Sequence, residues 1–274
     1  MKKYFICSDI HSDYTALENA LKEHNFDMQN DNHILVVAGD VFDRGAESVR
    51  LYEFLKSLTD SGKAIVLKGN HHSMLTQFLK KEDYSLCFFN HKHNGINTTI
   101  DDFTHQTYAW IMFIEYRHSD EEQKKMTGED FYNEWVKFVN KSADEINEEY
   151  PDLLPWLESM PDYLELKNSI ITHGMIDGKA NDWHYPRMGW DNCHWAKPED
   201  AAYLYNVTGK HIYLGHIDSD TIRETLHLPT DNYSLFTRDS GDVTYLDSCT
   251  ILTHRLNMIV IEDEPLDDEE EICE

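Results

Sequence analysis

The sequence predicts an α/β fold built on a parallel, buried sheet, and three observations carry that expectation. Over residues 1–80, short continuous apolar runs alternate with segments that are apolar at helical spacing. The runs are apolar on both faces, as strands covered on both sides must be. Each run also ends in a polar cluster. In such sheets ligands sit beyond the carboxyl ends of the strands, so those clusters mark where a site belongs.

Taken in order, "KYFIC" (3–7) is the first strand, with Ser12 as N-cap of the helix "YTALENALKEH" (14–24). "HILVVAG" (33–39) and "KAIVLKG" (63–69) are the next two strands, followed by the helices "AESVRLYEFLKSL" (46–58) and "HSMLTQFLKK" (72–81). Residues 81 to about 160 are rich in Glu, Asp, Asn, Lys and aromatics and read as a mainly helical insertion. Its helices are expected near 104–117 and 129–148, the second stopping before Pro151. Strands return at "YLELKNSIITHG" (163–174), "HIYLGH" (211–216), "TIRETLHL" (221–228), "DVTYLDS" (242–248) and "NMIVIE" (257–262). The expected organisation is one domain over 1–262 and a solvated acidic tail over 263–274.

With 41% hydrophobic and 12% aromatic residues among 274, the chain can bury a substantial core. Acidic residues outnumber basic ones 51 to 24, a formal charge of -27 that disfavours long nucleic acid and anionic membranes as partners. An anionic substrate is not excluded, because bound cations reverse the field locally. Cys7, Cys87, Cys193, Cys249 and Cys273 are odd in number and lack CxxC spacing, which argues against a disulfide framework or zinc ribbon and suits a reducing cytoplasm. The opening "MKKYFICSDIHSD" reaches Asp9 too soon for a signal-peptide core, and no run is long enough to span a bilayer.

The strand-end clusters hold Asp9 and His11; Asp40, Asp43 and Arg44; Asn70, His71 and His72; His173; and His216 with Asp218. One such residue is an ordinary turn or cap. Five clusters at successive strand ends call for a common cause, and imidazole with carboxylate suits Mn, Fe, Zn or Co rather than Mg or Ca. Six such side chains, by type Asp, His, Asp, Asn, His and His, exceed what one catalytic ion needs. They suit two ions sharing a carboxylate, an arrangement that activates water and hydrolyses phosphate esters.

These motifs resemble the calcineurin-like metallophosphoesterases, and within them the phosphoprotein phosphatase branch. Asp9-Ile-His11, Gly39-Asp40-Val-Phe-Asp43-Arg44-Gly45, Gly69-Asn70-His71-His72, His173-Gly174 and Gly215-His216 follow the family's DxH, GDxxDRG, GNHE, HG and GH in order. "HNGINTTIDDF", "PWLESMPDYLEL" and "YLDSCTILTHRLNMIVIE" extend the likeness to most of the chain. The resemblance implies a four-layer αββα sandwich with a mainly helical insertion. It assigns Asp9, His11 and Asp40 to one divalent ion and Asp40, Asn70, His173 and His216 to the other, with Mn²⁺ as the expected metal. It also implies His71 as general acid, Asp43 as its partner and Arg44 as a phosphate ligand. The implied activity is phosphomonoester hydrolysis, like that of serine/threonine protein phosphatases, on a phosphoprotein or nucleotide. Diadenosine tetraphosphate or cyclic-nucleotide hydrolysis is the alternative within the family.

Three positions depart from the pattern. His72 replaces the family glutamate. Asn192 stands where a second phosphate-binding arginine belongs, with Arg187 and His194 as substitutes, so His72, Arg187 and Asn192 join Arg44 as candidate substrate contacts. Asp218 stands where the wider superfamily has a histidine and reads as a ligand, as a residue behind one, or as a turn residue. His91 and His93 form an H-x-H pair but read as a solvated loop for want of a third donor. Cys7 and Cys249 read as small buried residues on strands. Trp183, Tyr185, Trp190, Trp195, Tyr203 and Tyr205 suit nucleobase stacking or ordinary packing equally. A non-catalytic metal-binding module is disfavoured by the presence of His71, Asp43 and Arg44, and a nuclease by the DRG motif and the negative charge.

Overall fold

The structure is a computed structural model that describes residues 1–106, 125, 127–176 and 191–266. Strands β1 (Lys2–Cys7), β2 (His33–Val37) and β3 (Ala64–Val66) are parallel, and β9 (Ile259–Asp263) runs antiparallel beside β1, giving the order β3-β2-β1-β9. A second sheet has the order β4-β5-β6-β8-β7. In it β5 (Ser169–Thr172), β6 (His211–Leu214) and β8 (Val243–Tyr245) are parallel, flanked by antiparallel β4 (Tyr163–Glu165) and β7 (Phe236–Thr237).

Period-two alternation along the strands builds the layers. Phe5, Cys7, Leu35 and Val37 point outward into a core shared with helices, while Tyr4, Ile6, Ile34 and Val36 point inward against Ile171, Tyr213 and Leu246 of the second sheet. The second sheet sends Ile170, Ile212, Leu214 and Val243 to its own helical side. The result is helices, sheet, sheet, helices, the expected αββα order.

The outer helices of the first sheet are α1 (Tyr14–Glu23), α2 (Ser48–Asp60), α3 (Asn70–Lys80), α4 (Tyr84–His93), α5 (Ile96–Phe103), α6 (Gly128–Glu149) and α7 (Leu153–Ser159). The described helices of the insertion are thus part of this layer. Trp135, Phe138 and Val139 of α6 belong to the same core as Leu35 and Phe78. Among the described residues four short helices follow: α8 (Asp191–His194), α9 (Pro198–Ala202), α10 (Ser219–Thr225) and α11 (Thr250–Thr253). No helix among the described residues is long and apolar enough to cross a membrane.

Several sequence expectations are corrected. The strand read at 221–228 is α10, because Asp218 accepts from Thr221 N and caps a helix whose Ile222 and Leu226, at i and i+4, face the core. The run 163–174 is two strands, folded back where Leu166 N donates to Ser169 O. Asp13, not Ser12, caps α1 by accepting from Ala16 N; Ser12 instead bonds Ser48. Residues 104–106 form a turn after α5, and 107–117 of the expected helix lie outside the described residues. His91 lies on α4, buried between Trp135 and Phe138, not on a solvated loop. Cys249 caps α11 and is partly exposed, while Cys7 is buried on β1 as expected. Asp263 belongs to β9 and not to a solvated tail: it is buried and accepts from Asn168 N and Nδ2.

Candidate metal centre

Strand register sets the level of the site. Cys7 pairs with Val37 and Thr172 with Leu214, so Asp9, Asp40, His173 and His216 all lie one to three residues beyond paired strand ends. Past those ends the loops stay in contact, with His11 N donating to Asp40 O and Ser12 N to Val41 O. The two sheets meet here as well: His216 N donates to Asp9 Oδ2 (2.9 Å) and His173 Nδ1 to Ala38 O (2.9 Å). Close approach requires glycine at two places. A Cβ on Gly69 would collide with Asp40 Oδ1, and one on Gly45 with the His11 carbonyl.

Two groups of ligating atoms, each within 4.8 Å of one another, share Asp40: His11, Asp40 and His71 in one, Asp40, His173 and His216 in the other. His173 Nε2 is 3.2 Å from Asp40 Oδ2 and 3.0 Å from Asn70 Oδ1. Asp9 Oδ1 is 4.0 Å from His11 Nε2. All six side chains read as ligands thus converge, and Asp9, Asp40, Asn70, His11 and His173 are buried. The donor set suits divalent ions. His11 Nδ1 donates to Phe42 O (3.0 Å) and His173 Nδ1 to Ala38 O, which fixes each ring and turns Nε2 toward the carboxylates.

Electrostatics divides the histidine rings of this set. Burial lowers the pKa of His11 to about 3 and of His216 to about 4 against the opposing pull of Asp40, and both rings are neutral near pH 7. Burial opposes a charge on His173, but Asp40 and Asp9 outweigh it and raise its pKa to about 9. Asp40 is held well below the usual carboxylate range despite burial, because His173 and His71 face it. Asp9 is raised, chiefly by burial. So much buried carboxylate calls for positive charge from a partner.

His71 is on the first turn of α3, where its N–H donates to Asp40 Oδ1 (3.1 Å). Its Nδ1 donates to Asp43 Oδ2 at 2.7 Å. Burial disfavours the charged ring, yet Asp40 and Asp43 raise its pKa above the ordinary value. The Arg44 guanidinium spans the rings, with Nη1 3.0 Å from His11 Nε2 and Nη2 3.0 Å from His71 Nε2.

The substrate contacts fare differently. His72 is turned away from the ligands: its Nε2 donates to Leu157 O (2.8 Å), and burial lowers its pKa to about 4. His194 bonds Asp162 (2.9 Å). Arg187, with Trp183, Tyr185 and Trp190, lies outside the described residues, as does the side chain of Asn192. Asp218 is the cap of α10 and so a turn residue.

Two residues escaped the sequence reading. Thr99 on α5 donates to Asp43 Oδ1 (2.6 Å) and accepts from Asp43 N (2.9 Å); its only signal was the likeness of "HNGINTTIDDF". Asp247, just beyond β8, is buried beside Asp9, and burial raises its pKa well above the usual range. Its sequence signal is a carboxylate two residues past a strand.

The bis(5'-nucleosyl)-tetraphosphatase PrpE [asymmetrical] of Bacillus subtilis (strain 168) is 30% identical over 83 residues, which are 28% of this chain and 34% of that protein. The symmetrical bis(5'-nucleosyl)-tetraphosphatase of Vibrio parahaemolyticus is 40% identical over 67 residues, 24% of each chain. The match thus spans about a quarter to a third of the length of these curated relatives. A protein serine/threonine phosphatase from Saccharomyces cerevisiae superposes with a TM-score of 0.50 at 14% identity, over 97% of this chain and 81% of that one, which shows a shared fold. The profile of the calcineurin-like phosphoesterases runs from residue 2 to residue 220, through every strand-end cluster assembled above. The chain therefore belongs to the calcineurin-like phosphoesterase family.

Proposed function

We propose that the chain hydrolyses phosphoric esters with two divalent ions. The observation that carries the reading is that His11, Asp40 and His71 form one close group and Asp40, His173 and His216 another, with Asp43 and Arg44 bonded to His71. Asp9, His11 and Asp40 would hold one ion, and Asp40, Asn70, His173 and His216 the other. Mn²⁺ is the ion we propose, on the mixed imidazole and carboxylate donors. Bound there, two cations lower the pKa of water and neutralise phosphate charge.

The chain's own residues supply the remainder. Arg44 binds two phosphate oxygens through parallel N–H donors and sets the phosphorus against the attacking water. As the water oxygen bonds phosphorus and the bond to the leaving oxygen breaks, His71 Nε2 gives that oxygen its proton. Asp43 holds the ring through Nδ1 and favours its charged form. The water's own proton passes to solvent. We place the reaction in the cytoplasm, because the odd cysteine count and free thiols suit a reducing compartment.

Para-nitrophenyl phosphate with Mn²⁺ tests the reading. Chelation should abolish turnover, and His71→Ala should lower kcat by roughly 10²–10⁴-fold with metal retained, the usual cost of losing a general acid. Unchanged kcat in that variant contradicts the mechanism.

A further inference from the structure

Trp195 is 48% exposed, yet its ring packs edge-on against His216 at 5.3 Å between centroids and 78° between planes. It follows α8, and the residues around it are anchored. Cys193 O accepts from Gly174 N and from Thr172 Oγ1 (3.2 Å), His194 bonds Asp162, and the His216 ring bonds the Ala196 backbone. The indole is therefore held in place beside a candidate metal ligand with half its surface open.

We propose that Trp195 is the stacking wall for a planar leaving group, which makes nucleoside phosphates the substrate class of this site; the proposal rests on the hydrolase reading above. A preorganised indole loses little entropy when a base lies on it. Base–aromatic stacking carries enough energy to direct selection, whereas the aliphatic leaving group of phosphoserine gains little from a π face. The other described aromatics of the segment do not compete. Tyr203 and Tyr205 line a separate cleft with Arg238 and Asp242, at the start of β8 and so at the end of the sheet away from the ligands.

The test compares Mn²⁺-loaded wild type, Trp195→Ala and Trp195→Phe on diadenosine tetraphosphate and on a phosphoserine peptide without aromatic residues. In Trp195→Ala the ratio of kcat/KM, dinucleotide over peptide, should fall about ten-fold through KM, within the roughly 5- to 100-fold that stacking supports, and Trp195→Phe should recover most of it. An unchanged ratio, including equal losses on both substrates, overturns the proposal and shows packing alone. A wild type inert on both substrates and on para-nitrophenyl phosphate contradicts the hydrolase reading instead. Stacking is then decided by titrating AMP against tryptophan fluorescence: quenching lost in Trp195→Ala supports it, and quenching unchanged refutes it.

Discussion

Asp9, His11, Asp40, Asp43, Arg44 and His216 all have positive φ, between 47° and 74°. Non-glycine residues held there cost on the order of 1 kcal/mol each, and persist only where the surroundings fix them. Here the fixing comes from backbone bonds between the loops and from side chains such as Thr99, which satisfies Asp43 twice. Thr99→Val should strip a donor and an acceptor from a buried carboxylate and its amide, at about 1–3 kcal/mol of stability. It should also lower kcat roughly 3- to 30-fold, about 0.7–2 kcal/mol, by loosening the Asp43–His71 pair. KM should hold, and Thr99→Ser should rescue. Steady-state kinetics with thermal melts check this; an equal rise in KM would point to a general structural role. The residue types at this level were legible in the sequence because charge at the tip of an apolar run has no packing use. The strained backbone and Thr99's part were not, since a threonine on a helix has no signature of its own.

Among the elements, strands with strong apolar runs were legible, and short pieces capped by a single residue were not. "TIRETLHL" has apolar residues at 222, 226 and 228, compatible with two periods, and Asp218's capping bond decides for the helix. The H-x-H on α4 misled because composition hides which ring faces the core. His91 carries a physical consequence. Burial lowers its pKa to about 4 from 6.5, and its Nδ1 has no hydrogen-bond partner. A depressed histidine contributes stability fully above pH 6.5 and loses it as pH falls toward 4, because the unfolded chain takes up the proton first. The loss is at most about 3 kcal/mol. His91→Phe should therefore flatten the fall of Tm between pH 6.5 and 4 relative to wild type. Parallel Tm profiles would show that the ring is not held neutral by burial.

At the scale of the whole molecule, two sheets come together and the site exists only where both end. Asp9, His11, Asp40 and Asn70 come from the first sheet, His173 and His216 from the second, and His216 N reaches Asp9 across 207 positions of sequence. The convergence of five clusters could be expected from parallel-sheet topology. The packing of the insertion into the first sheet's helical layer could not, because aromatics such as Trp135 and Phe138 give no partner in sequence. Central to the account is that Asp40 belongs to both ligand groups. Metal content after Mn²⁺ loading and desalting, with circular dichroism as a check on folding, tests it most directly. Wild type should hold two ions, His216→Ala about one, and Asp40→Ala, though folded, neither tightly. Two ions retained by folded Asp40→Ala, or none by wild type, would contradict the shared centre.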